Sequence, residues 1–332
     1  MEKMQKKRYY YDIELLRFIG MLLIMGHHLY LIGYGGEYLG QNCWVWVDFF
    51  FILTGAFTYR HYAETERKIA DCGEEALTYT INKFKSFWPY TTAAVFFQYV
   101  IMYREELLGG NVRGFALSFL DLPYEVIYLS SSGIVKAKVA PIWFLSAMFI
   151  VFPLIVYLIN KHKELWKIIS FMFPIIYFGR KMVNTSRSWP NDMVRAFACI
   201  ALGSFAFMVA QRIAKRYQET THKIIITITE VFCSVFTIYV TITNRDCLNL
   251  IELLFFIMAV LLFSGVSYTA HIRCDGVKLL GEISMPMFIF HWGIGTLISE
   301  FEINLLHKTV LYYMGTIVLS LAITSLKKRV KV

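Results

Sequence analysis

Four ionisable side chains, Glu14, Arg17, His27 and His28, stand inside the first apolar stretch of this chain. Each costs about 2.5 kcal/mol or more to hold in lipid, so their arrangement calls for a reason. Arg17 and His28 are eleven residues apart. On a helix that leaves them about 20° from alignment on one face and roughly 16 Å apart along the axis. His27 points about 80° away from Arg17. Glu14, three residues before Arg17, is within reach as its carboxylate partner. A guanidinium near one end of a helix and an imidazole deeper on the same face suit a long ligand with phosphates at one end and a reactive group at the other. A coenzyme A thioester has that shape: the Arg would grip phosphate as a fork of donors and the His would deprotonate an attacking hydroxyl. The same residues also allow a structural reading, in which Arg17 and Glu14 anchor the helix at the interface and the histidines bond neighbouring helices.

Elements able to position these groups must be transmembrane helices. The 332 residues are 57% hydrophobic, 17% aromatic and only 17% charged, with a mean hydropathy of +0.51, too apolar for a soluble globule. A bilayer core takes roughly 20 apolar residues per helical crossing. Apolar runs at 13–33, 43–59, 87–103, 141–160, 165–179, 193–211, 223–243, 248–268, 279–299 and 309–326 predict an all-α polytopic membrane protein of about ten transmembrane helices. It forms a single membrane-embedded domain over 1–332. The net charge of +9 does not signal nucleic acid, because the cations fall in the gaps between apolar runs and not among stacking aromatics. The six cysteines show no CxxC spacing, which gives neither a disulfide framework nor a metal site, and they read as buried thiols. The basic N-terminal segment lacks a small-residue cleavage site, so the first apolar run is expected to stay as a helix.

An eleventh stretch, 115–131, is interrupted by Asp121, Pro123 and Glu125, and charge decides against it. With residues 104–140 kept outside as one long extracytoplasmic or re-entrant loop, the cytoplasmic segments hold 22 Lys and Arg and the outer ones nine. Making 115–131 a crossing would flip every later loop against the positive-inside rule. Ten crossings with both termini cytoplasmic follow, and the expected location is a bacterial-type plasma membrane. A loop this long is also placed to cover a site.

Particular segments then carry a family likeness. "IELLRFIGMLLIMGHH" resembles the opening of the acyltransferase 3 family, an Arg, ten residues and a His, which fall on Arg17 and His28. "VWVDFFFILTGAFTY" resembles its second motif, an Asp followed by aromatics and Ser-Gly-Phe, with Thr54-Gly55-Ala56 in place of the commoner residues. "INKFKSFWPY" stands where two Arg three apart are usual; here the first is Lys83, the second is Ser86, and Lys85 is adjacent. A Lys lacks the bidentate fork, so phosphate binding by Lys83 and Lys85 is retained as an expectation while the second Arg has no counterpart. "APIWFLSAMFIVFPL" and "LLGEISMPMFIFHW", the latter ending on His291 and Trp292, are similar to further landmarks. The resemblance implies O-acyl transfer, usually of acetyl, from acetyl-CoA or another acyl-CoA to a hydroxyl of a cell-envelope glycan or lipid-linked sugar, without a metal.

Asp48, near the outer end of the second run, either orients a His or faces the outer water. Arg195 either helps bind the acceptor or snorkels to the headgroups. His27, Trp143 and His291 are further candidates for substrate contact, although an unpaired mid-helix His291 would be satisfied by one good hydrogen bond. The rival functions are a transporter or flippase of envelope precursors, since ionisable residues in membranes also line pathways, and a non-catalytic membrane binding module for such a precursor or an amino acid.

Overall fold

The computed structural model describes residues 9–64, 71–133, 138–183, 192–243 and 247–330. Among these residues there is no strand, and ten helices have 17 residues or more. They are α1 (Tyr11–His27), α2 (Trp46–Ala63), α3 (Cys72–Leu108), α6 (Ile142–Lys161), α7 (Lys163–Val183), α8 (Asp192–Arg216), α9 (Thr220–Ile242), α10 (Leu248–Ser264), α11 (Asp275–Ser299) and α12 (Leu305–Val330). Each overlaps one expected apolar run. Among the described residues five segments are long and apolar enough to cross a bilayer by themselves: Tyr11–Ile32, which is α1 and its 3₁₀ continuation, and α6, α8, α9 and α12. α10 is apolar but shorter. Ile224, Ile228, Val231, Phe232 and Val235 of α9 all face outward, as lipid-solvated side chains do.

α3 is 37 residues long, far more than its apolar run. Hydropathy detects only the lipid-depth half of a helix, while residues 72–86 continue it without a breaker until Pro89. The stretch 115–131 forms no helix long enough to cross a bilayer. It folds into α4 (Val112–Ser118), a 3₁₀ turn and α5 (Leu122–Val126), each too short to span lipid. The loop is nonetheless anchored. Glu125 is fully buried and accepts the backbone N–H of Lys138 at 2.8 Å and of Val139 at 3.0 Å, and the Tyr99 hydroxyl of α3 at 3.2 Å. Ser146 of α6 accepts the Ser131 N–H at 2.8 Å and donates to the Tyr128 carbonyl at 2.6 Å.

Two helix pairs position the site. α2 and α8 cross so closely that a Cβ on Gly55 would collide with the Ile200 carbonyl, and one on Gly203 with the Ile52 carbonyl. Small residues permit such backbone contact between membrane helices, which explains the Gly of Thr54-Gly55-Ala56. α1 and α11 run parallel: Glu14 fills the space left by Gly281, His28 meets His291, and Leu31 packs on Gly295. α12 returns antiparallel, with Lys328 paired to Glu282 at 2.6 Å. The described ends of the chain therefore lie on the same face of the bundle. Cys43, Cys199 and Cys233 are buried as expected, but Cys72 and Cys247 are half-buried and Cys274 is exposed. Cys274 immediately precedes α11, at a helix end and not within apolar packing.

Candidate active site

A cavity of about 1080 Å³ opens between α1, α2, α3, α6 and α11. Its position follows from one stripe of α2, where Phe50, Leu53, Thr54, Phe57, Thr58 and His61 recur at helical spacing and all line the space. Arg17, Arg60 and Lys83 bring cations to it from three different helices. Arg17 Nη1 donates to Glu14 at 2.8 Å, so the carboxylate expected from the sequence is its partner. The Lys83 ammonium stands 5.7 Å from the centre of the Tyr79 ring, which also lines the cavity. Lys85 and Ser86 are absent from the lining. Both are exposed, and Ser86 donates its hydroxyl to the Lys83 carbonyl at 2.7 Å.

The apolar end of the cavity stops at Phe50, Phe144 and Phe288, whose rings meet with centroids 6.4 and 5.3 Å from that of Phe288. His291 lies one turn beyond Phe288, its ring 6.1 Å away, and is fully buried. Neither His28 nor His291 lines the cavity. The two imidazoles are hydrogen-bonded, His291 Nε2 to His28 Nδ1 at 3.2 Å. Carbonyl oxygens fix the proton positions, because they only accept. His291 Nδ1 donates to the Phe288 carbonyl at 2.8 Å, which leaves its Nε2 as an acceptor. His28 Nδ1 donates to the Ile24 carbonyl at 2.9 Å and shares that hydrogen with His291. In the neutral ring His28 Nε2 is then a bare lone pair, the form a general base needs. His28 is the first residue of a 3₁₀ turn and not part of α1 proper, so the chain tightens at the imidazole.

The remaining candidates separate into two groups. His27 Nδ1 donates to the Gln41 carbonyl at 2.5 Å, and its ring stands 4.7 Å from that of His28. It ties the histidine turn to the following loop. Asp48 is fully buried, so it does not face water, and its carboxylate takes Arg195 Nε at 2.5 Å. This pairing turns Arg195 inward, with a side chain only 13% exposed, and excludes snorkelling to headgroups. The guanidinium lies 4.8 Å from the Trp44 ring and 5.3 Å from that of Trp143, within reach of cation–π attraction to both. Trp143 and Arg195, chosen separately from the sequence, thus form one cluster with Asp48, carried by the first turns of α2, α6 and α8. Sequence reasoning missed Arg60, His61 and Tyr79. For the two on α2 a signal existed, since they continue the apolar stripe toward the C-terminal turn of the helix.

Fold and site together define a multi-pass membrane protein with a cation-rimmed, apolar-ended cavity and a hydrogen-bonded histidine pair behind its closed end. The chain belongs to the acyltransferase 3 family, whose model, described as an acyltransferase domain, matches residues 10–327. No curated protein and no solved structure matches it significantly.

Proposed function

We propose that the chain is a membrane O-acyltransferase that takes an acyl group, acetyl in the simplest case, from a coenzyme A thioester and passes it to a hydroxyl of a cell-envelope carbohydrate. The observation that carries this reading is the cavity's polarity gradient, with cations at one end, apolar walls at the other and a proton-accepting imidazole just beyond. Membership in the family supplies the reaction class. Phosphates of the donor bind Arg17 and Lys83, and the pantetheine arm lies along Thr54, Thr58 and Phe57. The thioester reaches Phe288, and transfer requires that ring to turn aside and open the way to His28. The acceptor enters from the opposite face, where His28 Nε2 takes the hydroxyl proton as the oxygen attacks the thioester carbonyl. The carbon–sulfur bond then breaks, and the departing thiolate recovers the proton from His28. Transfer passes the acyl group from sulfur to oxygen and needs no metal. The cationic mouth faces the cytoplasm, in keeping with the excess of Lys and Arg on that side, so both termini are cytoplasmic and the membrane is a bacterial-type plasma membrane. Asp48, Arg195 and Trp143 lie toward the acceptor side.

Mass spectrometry of envelope glycans from cells with and without the protein tests the reading. A fixed acyl mass increment that depends on the protein and on His28 is expected. Unchanged glycans, together with no release of free thiol when acetyl-CoA meets the purified protein and envelope extract, would reject it.

A further inference from the structure

Arg60, in the last turn of α2, has an unusual set of surroundings. Its side chain is 11% exposed and lies over the Tyr10 ring at 4.9 Å, yet it lines the donor cavity. Its Nε donates to Glu64 at 2.8 Å, and among the described residues the terminal nitrogens of the fork meet no protein acceptor. Glu64 is 48% exposed, and a pair whose carboxylate is half in water contributes little to stability. The terminal nitrogens are thus left open toward the cavity, where an anion can reach them. At the same place α3 contributes a single cation, Lys83, while α2 contributes both Arg60 and the neighbouring His61.

We propose that Arg60 is a phosphate ligand of the donor site, completing with Arg17 and Lys83 a three-sided cradle for a nucleotide that carries phosphates at more than one position. Coenzyme A, with a pyrophosphate and a separate ribose phosphate, is such a ligand. Arg60 suits the role because a planar fork held on an aromatic face presents two parallel donors to a phosphate, which a lysine does not. The assignment deepens the donor reading above and rests on it.

Calorimetric titration of the full-length protein in lipid nanodiscs with coenzyme A and with 3′-dephospho-coenzyme A tests it. Arg60→Gln is expected to weaken coenzyme A binding by roughly ten-fold or more, with the melting temperature of the unliganded protein unchanged and Arg60→Lys recovering part of the loss. Glu64→Gln, which breaks the same ion pair but removes a negative charge from the cavity, is expected to bind at least as tightly as wild type. If Glu64→Gln lost binding as Arg60→Gln does, the arginine would be a structural partner and the assignment would fall. Equal affinity of Arg60→Gln and wild type would also overturn it. A wild type that binds neither ligand overturns the donor reading itself. A loss confined to coenzyme A assigns Arg60 to the ribose phosphate, and an equal loss with both ligands assigns it to the pyrophosphate.

Discussion

At the scale of single residues, the proposed chemistry concentrates on one hydrogen. His28 Nδ1–H is held by the Ile24 carbonyl and shared with His291 Nε2, which keeps Nε2 of His28 open. Removing the proposed base by His28→Ala is expected to lower acyl transfer by about 10²–10⁴-fold with the protein still folded, read as free thiol released in the presence of acceptor. His291→Leu fills the same volume but offers no acceptor. It is expected to slow transfer by roughly ten-fold, the loss of about one hydrogen bond, while leaving coenzyme A affinity unchanged. If His291→Leu instead abolished donor binding, the histidine would belong to the cavity and not to the base. The Arg17–Glu14 pair was legible from spacing because both residues lie on one helix, and intrahelical geometry follows from sequence separation alone. The partnership of His28 with His291, 263 residues away, was not.

Among elements, the crossing of α2 and α8 is the strongest constraint. Gly55 and Gly203 each face the other helix's backbone, where nothing can yield as a flexible side chain would. Gly55→Ala and Gly203→Ala are each expected to destabilise the protein by about 1–3 kcal/mol. Because either one opens the same crossing, the double variant should cost less than the two together. Thermal unfolding in detergent measures both effects. Asp48, Arg195 and Trp143 all sit where these helices and α6 begin, so a forced-apart crossing should disturb the proposed acceptor side before the proposed donor side. In the loop over 104–140, Glu125 is one anchor and Ser146 of α6 another. Glu125→Leu is expected to speed hydrogen exchange at the Lys138 and Val139 amides, which would lose their acceptor, with little change in the long helices. No pattern in 104–140 announced that fold, since its contacts are backbone to side chain across the loop and carry no periodicity.

For the whole molecule, the proposed orientation sets which face receives the donor. Leu39, in the loop between α1 and α2, is 69% exposed on the face opposite Cys274. In a Cys247→Ser background, a membrane-impermeant thiol reagent applied to intact cells is expected to label Leu39→Cys and to spare Cys274 until the membrane is permeabilised. The reverse pattern would put the cationic mouth outside, away from cytoplasmic thioesters. The parallel arrangement of α1 and α11 and the antiparallel return of α12 already require the described ends to share a face, whichever side that is.

The sequence by itself determined the helical class, the place of each long helix and the stretch that breaks into short helices. Apolar run length and the distribution of Lys and Arg are one-dimensional properties that lipid reads directly. It also marked Arg17 and Lys83, which line the cavity, whereas His28 stands outside the lining. Only the tertiary structure decided which helices stand side by side, and through them that Arg60 joins the cation rim while Lys85 stays outside it. The same packing set Asp48 against Arg195 and closed the cavity at Phe288 short of the histidines. Those outcomes depend on contacts between segments far apart in the chain, made possible by glycines whose meaning appears only when a second helix presses against them.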